Sequence, residues 1–146
     1  MARKTVNEMR IKFPSLSENE RLARSAISGF VALKNPQIDE LSDIKTAVSE
    51  AVTNSIVHGY RNTLGEIEMT AKIFDDNTVY IRIKDKGVGI EDIKQAMTPL
   101  FTTLAQEERS GLGFSVMESF SDSVRVSSKK GAGTTVVLTK RLRTKL

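Results

Sequence analysis

The spacing of hydrophobic and polar positions changes period along the chain, and each change marks an element. Met9, Ile11 and Phe13 alternate with Arg10 and Lys12, the period-two pattern of a half-buried strand, and Pro14 ends it. From Ser17 the period becomes helical. Leu22, Ala23, Ala26, Ile27, Phe30 and Val31 recur on one face until Asn35-Pro36 breaks the run, and Ser17 and Glu20 have capping-box spacing. A longer helix is predicted from about Asp39 to His58, with Leu41, Ile44, Val48, Ala51, Val52, Ser55 and Ile56 as its buried stripe and Gly59 as its terminator. Alternation then returns. Ile67, Met69, Ala71 and Ile73, a turn at Asp75-Asp76-Asn77, and Val79, Ile81 and Ile83 predict a β-hairpin. Beyond Gly87 come a short helix candidate, Glu91 to Met97, and a Thr-rich polar segment, Thr98 to Ser110, without an apolar period. The latter reads as a long loop of the kind used as a lid or binding loop. A helix from about Leu112 to Phe120 and strands around 123–127 and 134–139, joined by a Gly-rich turn at Lys130 to Gly133, complete the plan. Helices grouped together, then mostly antiparallel strands, predict an α+β two-layer sandwich with the helices on one face.

The 146 residues suit a single domain, 1–146, whose core can bury roughly 68–70% of the surface exposed by the unfolded chain. There is no cysteine and only one histidine, His58, so thiolate chemistry, disulfides and multi-histidine metal centres are excluded. No apolar run approaches the roughly 18 residues of a membrane span, and nothing after Met1 resembles a signal-peptide core, so a cytoplasmic location with no membrane partner is expected. The net charge is +4, but Lys140, Arg141, Arg143 and Lys145 carry all of the excess. Without those four, basic and acidic residues balance. The chain end from about 140 to 146 therefore reads as a solvated basic tail, and a nucleic-acid partner is not expected.

Three constellations could carry chemistry. Asp85-Lys86-Gly87-Val88-Gly89 places a carboxylate at a strand end before two glycines; it fits a simple turn, or a site where backbone approaches a ligand and Asp85 accepts a hydrogen bond from an amine. Gly111-Leu112-Gly113-Phe114, after Arg109 and Ser110, fits a helix-entry turn or an anion site made by free N–H groups. A PDZ carboxylate loop shares that GLGF sequence, but too few residues follow it here for the rest of that fold. A Walker A loop is excluded because no Gly-Lys dipeptide occurs. Glu50, Asn54 and His58, spaced four apart on the long helix, stack beside its apolar stripe; they fit a solvated face or a cleft lining with a general base and a Mg²⁺ ligand. His58, close to the helix end, fits a carbonyl cap better than a catalytic role.

The order of these elements resembles the N, G1 and G2 boxes of the GHKL ATPase/kinase superfamily: Glu50 to His58, Asp85 to Gly89, Gly111 to Phe114, then Gly133-Thr134-Thr135. Within it, ENERLAR at Glu18 to Arg24, EAVTNSIVHGY at Glu50 to Tyr60, PLFTT at Pro99 to Thr103 and ERSGLGF at Glu108 to Phe114 resemble the anti-sigma-F factors of spore-forming bacteria, a family of dimeric serine kinases that hold a sporulation sigma factor inactive. The resemblance implies the Bergerat ATP-binding fold with a mixed, mostly antiparallel sheet. It implies ATP or ADP with Mg²⁺ as ligands, Asn54 binding the metal and Glu50 acting as general base on an acceptor serine. It further implies that Asp85 reads the adenine amino group, that Gly87 and Gly89 shape the base pocket, and that Thr135 supports that end. Thr98 to Ser110, with Thr102 and Thr103, would be the ATP lid; Arg109 would reach the terminal phosphates, and Ser110, Gly111, Leu112, Gly113 and Phe114 would bind the phosphate chain. The implied partners are a sporulation sigma factor, a STAS-class anti-anti-sigma protein carrying the acceptor serine, and a second copy of the chain, with Glu18 and Arg24 on the partner-binding side. An anti-sigma-B-type stress-response kinase, a nucleotide-gated sigma-sequestering protein with little catalysis, and a histidine-kinase catalytic domain are the alternatives; a clamp ATPase is disfavoured by length. The ends, up to about Lys4 and after Lys140, carry no family signature.

Overall fold

The computed structural model describes residues 3–60, 63–88, 116–118 and 120–143. Five strands, β1 (Thr5–Pro14), β2 (Glu66–Phe74), β3 (Thr78–Asp85), β4 (Ser123–Lys129) and β5 (Gly133–Arg141), form one sheet in the order β1-β2-β3-β5-β4. Every pairing between them is antiparallel. The expected hairpin is β2–β3, and its turn closes through Asn77 at φ 65°. Period two decides which side is dry: Phe13, Ile67, Met69, Ala71, Ile73, Val79, Ile81, Ile83, Val136 and Leu138 are all buried. Helices α1 (Asn19–Ala32) and α2 (Ile38–Asn54) cover that side with Ala23, Ile27, Phe30, Val31, Ile44, Ala47, Val48, Ala51 and Val52. The predicted helix at 112–120 is helical at 116–118 and 120, where Met117 joins the core; its earlier residues lie outside the described ones, as does the helix candidate 91–97.

Three sequence expectations need correction. The capping box between Ser17 and Glu20 is not made: Glu18 occupies the cap position without a side-chain bond. Glu20 turns instead toward α2, accepting a hydrogen bond from Ser49 Oγ and lying 3.7 Å from Arg24. A tertiary donor thus wins over the local one. The long helix also does not run regularly to His58: α2 ends at Asn54 and continues as one π-helical turn, Ser55–Gly59, in which Tyr60 N–H reaches back to the Ser55 carbonyl at 3.0 Å. Finally, the basic end is not a free tail as far as Arg143, the last described residue. Lys140 and Arg141 belong to β5, Leu142 is buried, and Lys140 lies 3.6 Å from Asp43 on α2. Arg143 donates its backbone N–H to Glu40 at 2.7 Å and its guanidinium to both oxygens of Asp39 at 2.6 Å. Lys140 and Arg143 are thus matched by acids on the first turns of α2, and Lys145 lies outside the described residues.

Candidate functional site

Asp85 ends β3 and is only 3% exposed, although it is a carboxylate at a strand terminus. Burial of such a group requires donors. Ser55 Oγ donates to Oδ2 at 2.8 Å, while Oδ1 accepts from Gly87 N–H at 2.9 Å and Thr134 N–H at 3.2 Å. The place of Ser55 on the buried stripe of the long helix, where its N–H still bonds the Ala51 carbonyl, explains the first of these. In the π-turn that follows, Gly59 lies against the carboxylate, so closely that a Cβ at position 59 would lie 3.0 Å from Oδ2. Gly87 is in turn required by contact with the same turn: its Cβ would sit 2.0 Å from the Gly59 carbonyl oxygen. Val88 N–H bonds that carbonyl at 2.8 Å, and the Val88 carbonyl accepts from Gly131 N–H at 2.7 Å. The strand-end loop is therefore pinned between the helix end and the β4–β5 turn.

This arrangement leaves a chemical capacity. A carboxylate has about four acceptor positions, and three described donors, all neutral, reach Asp85. Such a group is suited to recognise a further neutral N–H donor, since no cation among these three competes for it.

Glu50 and Asn54 lie one turn apart on α2, each half-buried, and Asn54 immediately precedes the π-turn that reaches Asp85. They share a face as expected. His58 leaves that row, because the wider turn replaces the four-residue repeat with a five-residue one. The support expected from Thr135 falls instead to its neighbour. Thr134 is opposite Asp85 in the β3–β5 register, whereas Thr135 is opposite Lys84 and faces the other side of the sheet. On α1, Glu18 is exposed and Arg24 half-buried beside Glu20. Gly89, Thr102, Thr103, Arg109, Ser110, Gly111, Leu112, Gly113 and Phe114 lie outside the described residues.

Sequence reasoning assigned Ser55 to an apolar stripe and Gly59 to a helix stop, and so missed both as neighbours of Asp85. A serine among buried aliphatic residues was the available signal. The β4–β5 and β2–β3 strand ends meeting a broken helix around one buried carboxylate define a class of protein: the family model described as a histidine kinase-like ATPase domain matches residues 13–140. Within that class, the chain is 55% identical over 136 residues to the anti-sigma F factor of Clostridium beijerinckii, covering 92% of this chain and 94% of that one. It is 54% identical over 139 residues to the anti-sigma F factor of Lysinibacillus sphaericus, covering 94% of each. The chain belongs to the anti-sigma F factor family. Solved structures share the fold: one with the RsbU and RsbW domains of a Mycobacterium tuberculosis protein superposes with a TM-score of 0.69 at 22% identity, over 94% of this chain and 33% of that one. The histidine kinase domain of a blue-light activated kinase from Erythrobacter litoralis gives 0.55 at 19% identity, over 71% and 45%.

Proposed function

We propose that this protein binds and inhibits a sporulation sigma factor and uses Mg-ATP to phosphorylate a serine of a STAS-class anti-anti-sigma antagonist. The observation that carries the nucleotide part is the buried Asp85 carboxylate, held by neutral donors with acceptor capacity to spare. Asp85 accepts the adenine amino group, and Gly87 lets the backbone close on the base. One helical turn carries both hard-oxygen groups that the phosphate end needs, a carboxamide at Asn54 and a carboxylate at Glu50, which fits a metal that takes few protein ligands. Bound Mg²⁺ supplies charge neutralisation on the phosphate chain. Asn54 would hold it through its carboxamide. Glu50 takes the proton of the acceptor serine hydroxyl as that oxygen attacks the terminal phosphorus, and the bond to the ADP oxygen breaks. Positioning and charge supply most of such catalysis.

Support for the protein partners comes from the relatives, whose name is anti-sigma F factor, and from Arg24, half-exposed on α1. The active species is a cytoplasmic homodimer. The lid residues Thr102 and Thr103, the phosphate contact Arg109 and the backbone of Ser110 to Phe114, with Gly89 at the base, complete the site. Among the described residues no helix is long and apolar enough to cross a membrane.

The test is transfer of radiolabelled terminal phosphate from ATP to a purified STAS partner, with and without a sigma factor. Glu50→Gln is expected to abolish transfer while ATP and sigma binding persist; full transfer in that variant sinks the general-base role. Transfer by neither protein, together with no nucleotide-dependent sigma complex, defeats the proposal as a whole.

A further inference from the structure

Tyr60 follows the π-turn directly and is 7% exposed. Its hydroxyl is fixed from two sides. It donates to the Glu66 carbonyl at 2.5 Å and accepts from Lys86 N–H at 2.8 Å. Because a carbonyl can only accept and an amide N–H only donate, the phenolic proton has one assignment, and a phenyl ring could replace neither bond. Glu66 opens β2 and Lys86 follows Asp85, whose register partner on β2 is Ile67. One oxygen therefore ties the start of β2 to the residue after the carboxylate.

The ring is pinned as well. It packs on Gly65, where a Cβ would lie 2.1 Å from its Cε1. Gly65 in turn exchanges hydrogen bonds with Ser15, donating to Oγ at 2.9 Å and accepting from the backbone N–H at 2.8 Å. The Lys86 amide held by Tyr60 belongs to the peptide joining Asp85 to Lys86. The next amide, Gly87 N–H, closes a turn onto Asp85 Oδ1. Rotation of the first peptide would carry the second with it, and with it the carboxylate.

We infer that Tyr60 is a positioning residue for base selectivity, fixing the Asp85–Gly87 turn so that the carboxylate meets a purine amino group. The inference rests on the reading of Asp85 as the base reader. Loss of the hydroxyl leaves the ring, the core contact and the phosphate end in place, so it acts on the amino-group contact alone.

The experiment measures calorimetric affinities of the full chain for ATP and for purine riboside triphosphate, the same nucleotide without its amino group. In Tyr60→Phe, ATP affinity should fall about tenfold while affinity for the deaminated nucleotide holds, so the ratio between them narrows about tenfold. An equal loss for both nucleotides would mark Tyr60 as a structural strut and overturn the inference; so would an unchanged ATP affinity. Gly65→Ala, which pushes the ring aside while keeping the hydroxyl, should narrow the ratio too, and thermal melts of both variants report folding. Asp85→Asn separates the two readings. If it keeps the preference for ATP, the base-reading role of Asp85 fails; if it loses the preference while Tyr60→Phe keeps it, only the role of Tyr60 fails.

Discussion

Two carboxylates are buried to nearly the same degree at the two ends of β5, and they are held in opposite ways. Glu40, 2% exposed on the first turn of α2, accepts from Gln37 N–H at 3.0 Å and Arg143 N–H at 2.7 Å, and the Arg143 guanidinium lies 3.4 Å away. Asp85, 3% exposed, has only neutral described donors and a glycine pressed against it. A cation with backbone donors makes a closed fastener between the chain end and α2. Neutral donors with acceptor capacity remaining make a group that can recognise a ligand. Burial alone distinguishes nothing; the partners do.

Exchanging charge for amide at each end should separate these roles. Asp85→Asn is expected to weaken ATP binding about 100-fold, roughly 3 kcal/mol, with a thermal midpoint close to that of the parent, because the amide oxygen still accepts from Gly87 and Thr134. Calorimetric titration with ATP checks the first part and a melt the second. If stability collapses while affinity in the folded fraction stays, Asp85 is the fastener and the contrast is wrong. Gly87→Ala attacks the same end through shape. With a Cβ 2.0 Å from the Gly59 carbonyl, the loop must move off the π-turn, costing about 1–3 kcal/mol in denaturant unfolding and weakening ATP binding together. Glu40→Gln should do the reverse of Asp85→Asn: a loss of about 1–2 kcal/mol in urea unfolding, with ATP affinity unchanged. A fall in affinity for that variant would show that the two ends are coupled through α2.

How much of this was legible beforehand follows from how far apart the interacting residues are in sequence. The β2–β3 hairpin and the α2 stripe were readable because each is a local period, and every aliphatic residue in Ile67 to Ile73 falls on the dry face. The motif positions of Asp85 and Gly87 were readable from their spacing. The π-turn was not, since it is a one-residue slip in backbone bonding with no residue type of its own. The row expected to include His58 is broken by it, whereas Ser55 is buried on the stripe as its spacing predicts and only its bond to Asp85 escapes the pattern. That Thr134 rather than Thr135 bonds Asp85 is a matter of strand parity, which only the pairing of Asp85 with Thr134 reveals. Arg143 meets Glu40 across 103 positions, and at that distance a charge cluster looks like a tail until its acids are found.

The smallest effect is a pH dependence that the fastener should have and can be made to lose. Hydrogen bonds from Arg143 hold Asp39 below its ordinary value of 3.8. For Glu40, burial pushes upward, but the backbone donors of Arg143 and Gln37 and the Arg143 charge outweigh it and hold the group below 4.5. A carboxylate whose folded-state value is depressed stabilises the fold above its unfolded value, and that contribution disappears as pH falls through the folded value. The stabilisation from Arg143 is therefore complete at neutral pH and fades below about pH 4.5. Arg143→Gln should melt below the parent at pH 7, the gap should narrow once pH drops under that value, and ATP affinity at pH 7 should match the parent. Melts recorded at successive pH values decide it. A gap that stays constant down to pH 3 would mean that Arg143 acts through packing of its stem alone, and Glu40 would then be held by its backbone donors, more like Asp85 than the contrast between them allows.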